Sequence, residues 1–544
     1  MSKLIECVPN FSEGNDLTII KQITDEIEKV DGVKLLNVDP GKATNRTVVT
    51  FVGTPDAVVT AAFSAIKKAG ELIDMSKHKG EHPRMGATDV CPLIPISGIT
   101  MAETAKYAQQ LAERVGKELK IPVYLYEAAQ KNQKRNNLSI IREGEYEGFF
   151  KKIKLSEWKP DFGPVEFDAK RGATVIGARD FLIAFNVNLN TTSTRRANNV
   201  AFDVREVGRM VNRESQLGKC KAVKGIGWFI KEYGIAQVSM NLTNAKVTPL
   251  HIAFDECVTS AHNRGMRVTG SELVGLVPIQ SMIDAGKYFL RKQKRSAGVS
   301  VEELIKIAVK SMGLDELAPF KPEERIIEFM LSDNKRFELI NKNLRKFADE
   351  TASESPAPGG GSISAYVGSL GISLGTMVAN LSSHKKGWDD RWEEFSKWAE
   401  KGQLLKDQLL LLVDEDTNAF NKIMSAFSLP KATTEEKKAR DKAIQSATKY
   451  ATEVPFKVMG LSYNSMEIIK AMAEKGNPNS VTDAGVGALC ARTAVLGAYM
   501  NVRINAKGLA DRKFASNIVR KAKNIAEKAK KAETSIINIV NRKL

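Results

Sequence analysis

Cysteine and histidine are both scarce in this sequence. Its five cysteines, Cys7, Cys91, Cys220, Cys257 and Cys490, are scattered over 544 residues with no CxxC pair. That spacing argues against a disulfide framework and a structural zinc site, and it suits a reducing compartment. The thiols read as small core residues. The opening residues, Met1-Ser2-Lys3-Leu4-Ile5-Glu6-Cys7, lack a basic patch followed by a long apolar run, so no secretory signal is expected. P-loop and dinucleotide fingerprints are missing. So are zinc-finger spacing and an RNA-binding aromatic signature. One uncharged stretch, Ser355 to Ser383, is long enough to span a bilayer. It begins Pro356-Ala357-Pro358-Gly359-Gly360-Gly361, is diluted by Ser, Gly, Thr and Asn380, and is followed at once by Lys385-Lys386. A buried helix with a small-residue face is expected there, not a membrane span.

What is present is ordinary globular material: 43% hydrophobic and 27% charged residues. The length exceeds what one core can hold, so two to four domains are expected. The formal net charge of +17 favours an anionic partner, whether nucleic acid, membrane surface or polyanionic small molecule. Many lysines, such as Lys521, Lys523, Lys528, Lys530 and Lys531, fit solvated helix faces, so charge alone identifies no partner.

Periodicity divides the chain into unlike halves. Leu4–Pro9, Val33–Val38, Thr47–Gly53, Asp89–Ile96 and Val123–Tyr126 read as strands. Helices are expected over Asp16–Val30, after Thr54-Pro55, and from a Thr100/Glu103 capping box to about Lys117. This is a split β-α-β pattern with additions. Residues 173–292 repeat the theme, with strands in 173–190, 220–233, 235–243 and 266–277 and helices over 198–211, from Thr248-Pro249, and over 279–292. The fold class expected is therefore α/β, two tandem ferredoxin-like α+β subdomains, followed by an all-α domain. The boundaries fall at 1–178 and 179–326 for the subdomains, 327–338 for a linker and 339–544 for the helical domain. Helices are expected at about 363–382, 388–412, 414–427, 434–453, 455–474, 480–502 and 511–542. A cleft between two such sheets is a natural ligand site.

Of five histidines, His78 and His82 lie in the loop Lys77-His78-Lys79-Gly80-Glu81-His82-Pro83-Arg84-Met85-Gly86-Ala87-Thr88-Asp89. Pro83 and the glycines defeat the helix that metal-ligating spacing would rely on, so a catalytic histidine is preferred over a metal site. A solvated loop histidine is the even alternative. His251 and His262 read as structural and His384 as exposed. Asp39 sits at a strand end before Pro40-Gly41, where turn formation outweighs catalysis on local grounds. Gly359-Gly360-Gly361-Ser362 runs into a helix and could offer N–H groups to an anion, although a flexible joint is the blander reading. Asp414-Glu415-Asp416 could place one carboxylate inward or form a solvated turn.

Several strings resemble formiminotransferase-cyclodeaminase, the bifunctional folate enzyme family of histidine breakdown. They are Cys7-Val8-Pro9-Asn10-Phe11-Ser12-Glu13-Gly14, Thr44-Asn45-Arg46-Thr47-Val48, the Gly80–Asp89 loop, Gly172-Ala173-Thr174 and Phe181–Asn186. In the helical half they are Ala357–Ser362, Leu412–Asp416, Leu429-Pro430-Lys431 and Gly497–Val502. The resemblance implies transfer of a formimino group from N-formimino-L-glutamate to tetrahydrofolate, then closure to 5,10-methenyltetrahydrofolate with release of ammonia. It makes His82 the catalytic histidine, with Asp39 nearby. A folate-contacting segment maps to Gly163, Pro164, Val165, Glu166, Phe167, Asp168, Ala169, Lys170, Arg171 and Gly172. In the helical half Asp416 is the favoured acid/base with Asp414 in reserve, since residues two apart on a helix face different ways. Also implied are polyglutamylated folate as co-substrate, no metal, a cytoplasmic setting and a homo-oligomeric ring of dimers, with no nucleic-acid or membrane partner. The competing readings are a chain with one active half, a helical half acting as methenyltetrahydrofolate cyclohydrolase, or a basic nucleic-acid-binding scaffold.

Overall fold

The computed structural model describes residues 3–331 and 338–544, apart from 43, 81, 82 and 213. Two compact units are present: Met1–Ser281 with Met312–Leu331, and Met282–Ser311 with Ser332–Leu544.

Among the described residues the first unit holds seven-, four- and two-stranded sheets, and the two larger ones share a four-strand core of the same topology. β1 (Leu4–Cys7) and β2 (Asn10–Phe11) act as one strand interrupted at Val8-Pro9, because both pair with the same two neighbours. Then follow α1 (Leu17–Glu28), β3 (Val33–Gly41), β4 (Arg46–Gly53), α2 (Pro55–Leu72) and β5 (Thr88–Ser97). The order is β3–β4–β1/β2–β5, antiparallel throughout, the ferredoxin-like arrangement expected. α3 (Met101–Arg114) starts in the anticipated Thr100/Glu103 capping box. Beyond it come β6 (Val123–Glu127), α4 (Leu138–Ile141), α5 (Glu145–Lys152) and β7 (Thr174–Ala178), and β7 pairs in parallel with β5 and β6.

β8 (Ile183–Leu189), α6 (Thr194–Val204), β9 (Arg209–Val211), β10 (Glu214–Gln216), β11 (Val223–Ile230), β12 (Ile235–Leu242), α7 (Leu250–His262) and β13 (Val268–Val274) repeat the plan. Their main sheet runs β11–β12–β8–β13. The helix expected over 198–211 is shorter. It ends at Val204, where Arg205 turns extended, and Gly208 at φ +56 then leads the chain into the β9–β10 hairpin. Thr248 does not cap α7 either; its hydroxyl donates to Lys221 O at 2.7 Å.

α8 (Ile279–Lys292, from Met282 onward) and α9 (Val301–Met312, up to Ser311) pack with the helical unit, although the sequence boundaries put them in the second subdomain. Gly298 O accepts from Asn380 Nδ2 at 2.8 Å and from Gln403 Nε2 at 3.0 Å. Arg291 pairs with Glu400. α10 (Pro322–Arg325) and α11 (Ile327–Leu331) return to the first unit, where Ile327 is buried with Leu36, Val52 and Leu276. The first part of the expected linker is thus a packed helix, and residues 332–337 lie outside the described ones.

The remaining helices are α12 (Leu344–Thr351), α13 (Gly360–Ser383), α14 (Trp392–Phe427), α15 (Thr434–Lys475), α16 (Val481–Lys507) and α17 (Arg512–Asn541). α13 is long and apolar enough to cross a membrane, but 61% of its apolar window is buried within this unit. Its small-residue face meets α16 closely: a Cβ on Gly371 would stand 2.9 Å from Gly487 O. The breaks expected near 413 and 454 do not exist, and α14 and α15 run unbroken through both. Pro455 cannot donate to Ala451 O, four residues back, which would ordinarily break the helix. Asn505 on α16 supplies the missing donor, its Nδ2 lying 2.7 Å from that carbonyl.

Candidate active sites

Strand alternation builds the first site. Ile5, Cys7, Val49, Phe51, Cys91 and Leu93 point to the helix-covered core. Their neighbours Glu6, Asn10, Arg46, Val48, Thr50, Val90 and Pro92 point the other way. They line a cleft of about 510 Å³, closed opposite by residues of the second sheet and its flanks, including Lys224, Asn241 and Thr243. Asn37 and Asp39 on β3, Arg142 and Arg179 share this lining. Asp39 is exposed at the wall, not folded into a turn, and it pairs in register with Val48.

Asp89 organises the charge. Its carboxylate is fully buried, accepts from Met85 N at 3.1 Å and from Arg142, and forms an ion pair with Arg46 at 3.6 Å. One carboxylate between two guanidiniums leaves a net positive spot on the cleft wall, suited to a substrate carboxylate. Burial brings the Arg46 guanidinium down to about 10.

The Cys7–Gly14 and Thr44–Val48 segments converge on the histidine loop. Ser12 donates to Gly86 O at 2.8 Å. Asn45, held at φ +46, accepts from Gly14 N and Asn15 Nδ2 and donates to Lys79 O at 2.9 Å. His78 is occupied on both nitrogens. Arg84 Nε lies 3.2 Å from His78 Nδ1 and can only donate, so Nδ1 accepts and Nε2 carries its proton toward Asn45 O at 2.9 Å. His78 is a clamp between two loops. His82 lies outside the described residues.

The 163–172 segment lines neither the cleft nor the pocket around His78. Asp168 accepts from Lys170 N and Arg171 N, Arg171 reaches Leu119 O, and Phe167 stacks among Tyr146, Phe149 and Phe150. Backbone bonds from Met75 to Lys170 and from Ala87 to Arg171 tie it to both flanks of the histidine loop.

In the helical unit, the two aspartates separate cleanly. Asp414 is buried and accepts from Leu339 N at 2.8 Å and Ile340 N at 3.3 Å, anchoring the chain that enters the unit. Asp416 faces the glycine-rich start of α13, where Ser362 Oγ donates to its Oδ2 at 3.2 Å and Thr417 Oγ1 lies 3.3 Å from that hydroxyl. Burial raises the Asp416 carboxyl above its ordinary range, opposed by the bonds from Ser362. Gly361 allows this approach: a Cβ there would stand only 2.5 Å from Cγ of Asp416. The stretch is a close helix contact, where the sequence suggested a flexible joint. Asn501 stands over Gly360 and donates to Gly497 O at 3.0 Å.

Sequence reasoning did not single out Glu6, Asp89, Arg142 or Arg179. The one available signal was Glu6 itself, a charge inside the apolar strand Leu4-Ile5-Glu6-Cys7-Val8.

An arginine-lined cleft between two α/β sheets, and a partly buried aspartate in a separate helical unit, mark a candidate two-centre acid–base enzyme. Comparison with known proteins gives the same division. Residues 4–179 match the formiminotransferase domain, N-terminal subdomain, residues 184–332 the formiminotransferase domain, and residues 343–524 formiminotransferase-cyclodeaminase. Formimidoyltransferase-cyclodeaminase of Gallus gallus is 43% identical over 544 residues, covering 100% of both chains. Glutamate formimidoyltransferase of Thermoplasma acidophilum is 44% identical over 290 residues, 53% of this chain and 92% of that one. Methenyltetrahydrofolate cyclohydrolase of Methylorubrum extorquens is 36% identical over 204 residues, 38% of this chain and 98% of that one. The chain belongs to the formimidoyltransferase-cyclodeaminase family.

Proposed function

We propose that the α/β unit transfers the formimino group of N-formimino-L-glutamate to N5 of tetrahydrofolate, and that the helical unit closes the product to 5,10-methenyltetrahydrofolate. The carrying observation is identity across the full length of a bifunctional relative, with both family regions present in order. In the transfer, N5 attacks the amidine carbon, the new N–C bond forms, and the bond to the glutamate nitrogen breaks. The proton lost from N5 must end on that nitrogen. An imidazole can both accept and donate a proton, and His82 is the group proposed to carry it. Asp39, on the cleft wall, stabilises positive charge on the amidine. The Arg46–Arg142 pair, half neutralised by Asp89, receives a substrate carboxylate.

For ring closure, N10 attacks the formimino carbon and the former imine nitrogen leaves as ammonia. That nitrogen needs two protons, one from N10 and one from an acid. Asp416 is assigned as the acid, since burial keeps its carboxyl protonated to higher pH than an exposed aspartate. Asp414, engaged by two backbone N–H groups, is left in a structural role.

The lysine surplus suits a polyglutamate tail on the folate, a cytoplasmic setting fits five free cysteines, and exposed Leu370, Met377 and Leu381 along one helix suit assembly with further copies. Similarity of the helical half to a cyclohydrolase favours one second reading, hydrolysis of the methenyl product. Absorbance of methenyl-folate, followed with formiminoglutamate and tetrahydrofolate, tests all of this. Wild type should form the band, His82→Ala should not, and Asp416→Ala should accumulate 5-formiminotetrahydrofolate. A wild type that forms no methenyl band but consumes supplied methenyltetrahydrofolate would favour the cyclohydrolase.

A further inference from the structure

Glu6 is a carboxyl in a place where sequence patterning ordinarily puts an aliphatic residue. It is central in the first sheet, opposite Val52 on β4 and Ile94 on β5, and is 1% exposed. Its neighbours Ile5 and Cys7 point into the helix-side core, so its own side chain belongs to the cleft face and lines the cleft. Buried carboxyl oxygens are normally bonded, and leaving one without a partner is costly. Among the described residues, Glu6 Oε2 nevertheless has no hydrogen-bond partner. Arg179 and Glu328 exert opposing electrostatic effects on it, and burial pushes the carboxyl up to about 8. Nothing in the transfer chemistry described above uses this group.

Its position limits what it can meet. Asp39 is in register with Val48 and Glu6 with Val52, four residues apart on the same strand. At roughly 3.3 Å per residue this is about 13 Å along the sheet. The amidine that reacts must lie at the Asp39 end, beside the histidine loop tied down by Asn45. A second group with hydrogen-bond donors is therefore needed at the Glu6 end. Reduced folate has one: the 2-amino group and N3–H of its pyrimidine ring form a paired N–C–N donor edge, on the far side of the pteridine from N5. A carboxylate accepts such an edge through both oxygens, as it accepts a guanidinium.

Building on the transferase reading above, we infer that Glu6 is a substrate-contacting residue whose carboxylate receives the 2-amino-4-oxopyrimidine edge of tetrahydrofolate in the α/β unit. Folate binding then gives Glu6 Oε2 the partner it lacks among the described residues, and it fixes the pteridine with N5 directed toward the histidine loop. The formamidine of the other substrate carries the same N–C–N donor chemistry, so the test must separate the two.

The test is steady-state transferase kinetics of the full-length protein and Glu6→Gln, which keeps shape but cannot become a carboxylate. Each substrate is varied in turn at saturating levels of the other. The assignment requires a tetrahydrofolate KM raised tenfold or more, with the formiminoglutamate KM within twofold of wild type. With 2-desamino-tetrahydrofolate, wild type and variant should have KM values within twofold, a result that a merely structural role would not produce. Ring closure of supplied 5-formiminotetrahydrofolate reports on the helical unit and should be unchanged. A raised formiminoglutamate KM would transfer Glu6 to the amidine and overturn the assignment. So would an unaltered tetrahydrofolate KM in an active variant. An inactive wild type would instead sink the transferase reading on which the assignment rests.

Discussion

A side-chain methyl on Gly361 would lie 2.5 Å from both Cγ and Oδ2 of Asp416, closer than any carbon can approach. The carboxyl reaches the start of α13 only because that position carries no Cβ. Gly361→Ala should displace Asp416 by about an ångström or more and slow ring closure on the order of 100-fold. Transfer in the α/β unit should be untouched. Gly360→Ala is the internal control, since its Cβ would make an ordinary 3.5 Å contact with Asn501 Nδ2. Paired assays on supplied 5-formiminotetrahydrofolate and on glutamate release check both. Equal ring-closing rates for the two variants would remove Asp416 from the site.

The aspartates two residues apart should fail in opposite ways. Asp414→Asn weakens two bonds from buried N–H groups, of Leu339 and Ile340, at a cost of about 1–3 kcal/mol. Ring-closing kcat per folded molecule should stay near that of wild type. Asp416→Asn should fold normally and lose ring closure. The pH profile adds a sign. The acid must be protonated, so wild-type ring closure should decline as pH rises through the raised Asp416 value. Urea titration and a pH series separate the two variants, and a stable but inactive Asp414→Asn would reverse the assignment.

Asn505 should matter only because Pro455 is there. Its amide replaces the donor that proline lacks, so Asn505→Leu leaves Ala451 O unpaired and should cost about 1–3 kcal/mol. Pro455→Ala restores a backbone donor to that same carbonyl. In the double variant the cost of losing Asn505 should shrink to a small fraction of its single-mutant value. Denaturation of the four proteins closes the cycle; additive costs would mean that the two residues act independently.

This pair also shows where reading the sequence stops. Alternation along β1, β4 and β5 and the Thr100/Glu103 box were visible because those rules act over a few residues. The sequence divides 434–453 from 455–474 at Pro455 because the compensating donor, Asn505, is fifty positions away on another helix. Likewise, Asp414 and Asp416 are told apart by distant segments, the incoming Leu339–Ile340 backbone for one and the Gly361-Ser362 start of α13 for the other. The loop rule that nominated His78 and His82 could not register that His78 already has both nitrogens bonded to Arg84 and Asn45. Charge pairing between segments distant in the chain, as in Asp89 with Arg46 and Arg142, has no sequence signature at all.

Glu6 should make the empty protein less stable at high pH than at low. Its carboxyl titrates at about 8 when folded, against an ordinary value of 4.5. Below about 4.5 both folded and unfolded chains hold the proton, and the neutral group carries no penalty. Between 4.5 and 8 the unfolded chain releases the proton while the folded chain retains it. Stability therefore falls as pH rises, by up to about 1.4 kcal/mol per unit, and the loss is complete once the pH has passed about 8. Glu6→Gln cannot ionise and escapes this loss. Its melting temperature should match wild type near pH 4.5 and exceed it at pH 8, by an amount on the order of a few kcal/mol in stability. Thermal melts of ligand-free protein at the two pH values check the prediction. A gap of equal size at both would show that ionisation of Glu6 contributes nothing to it.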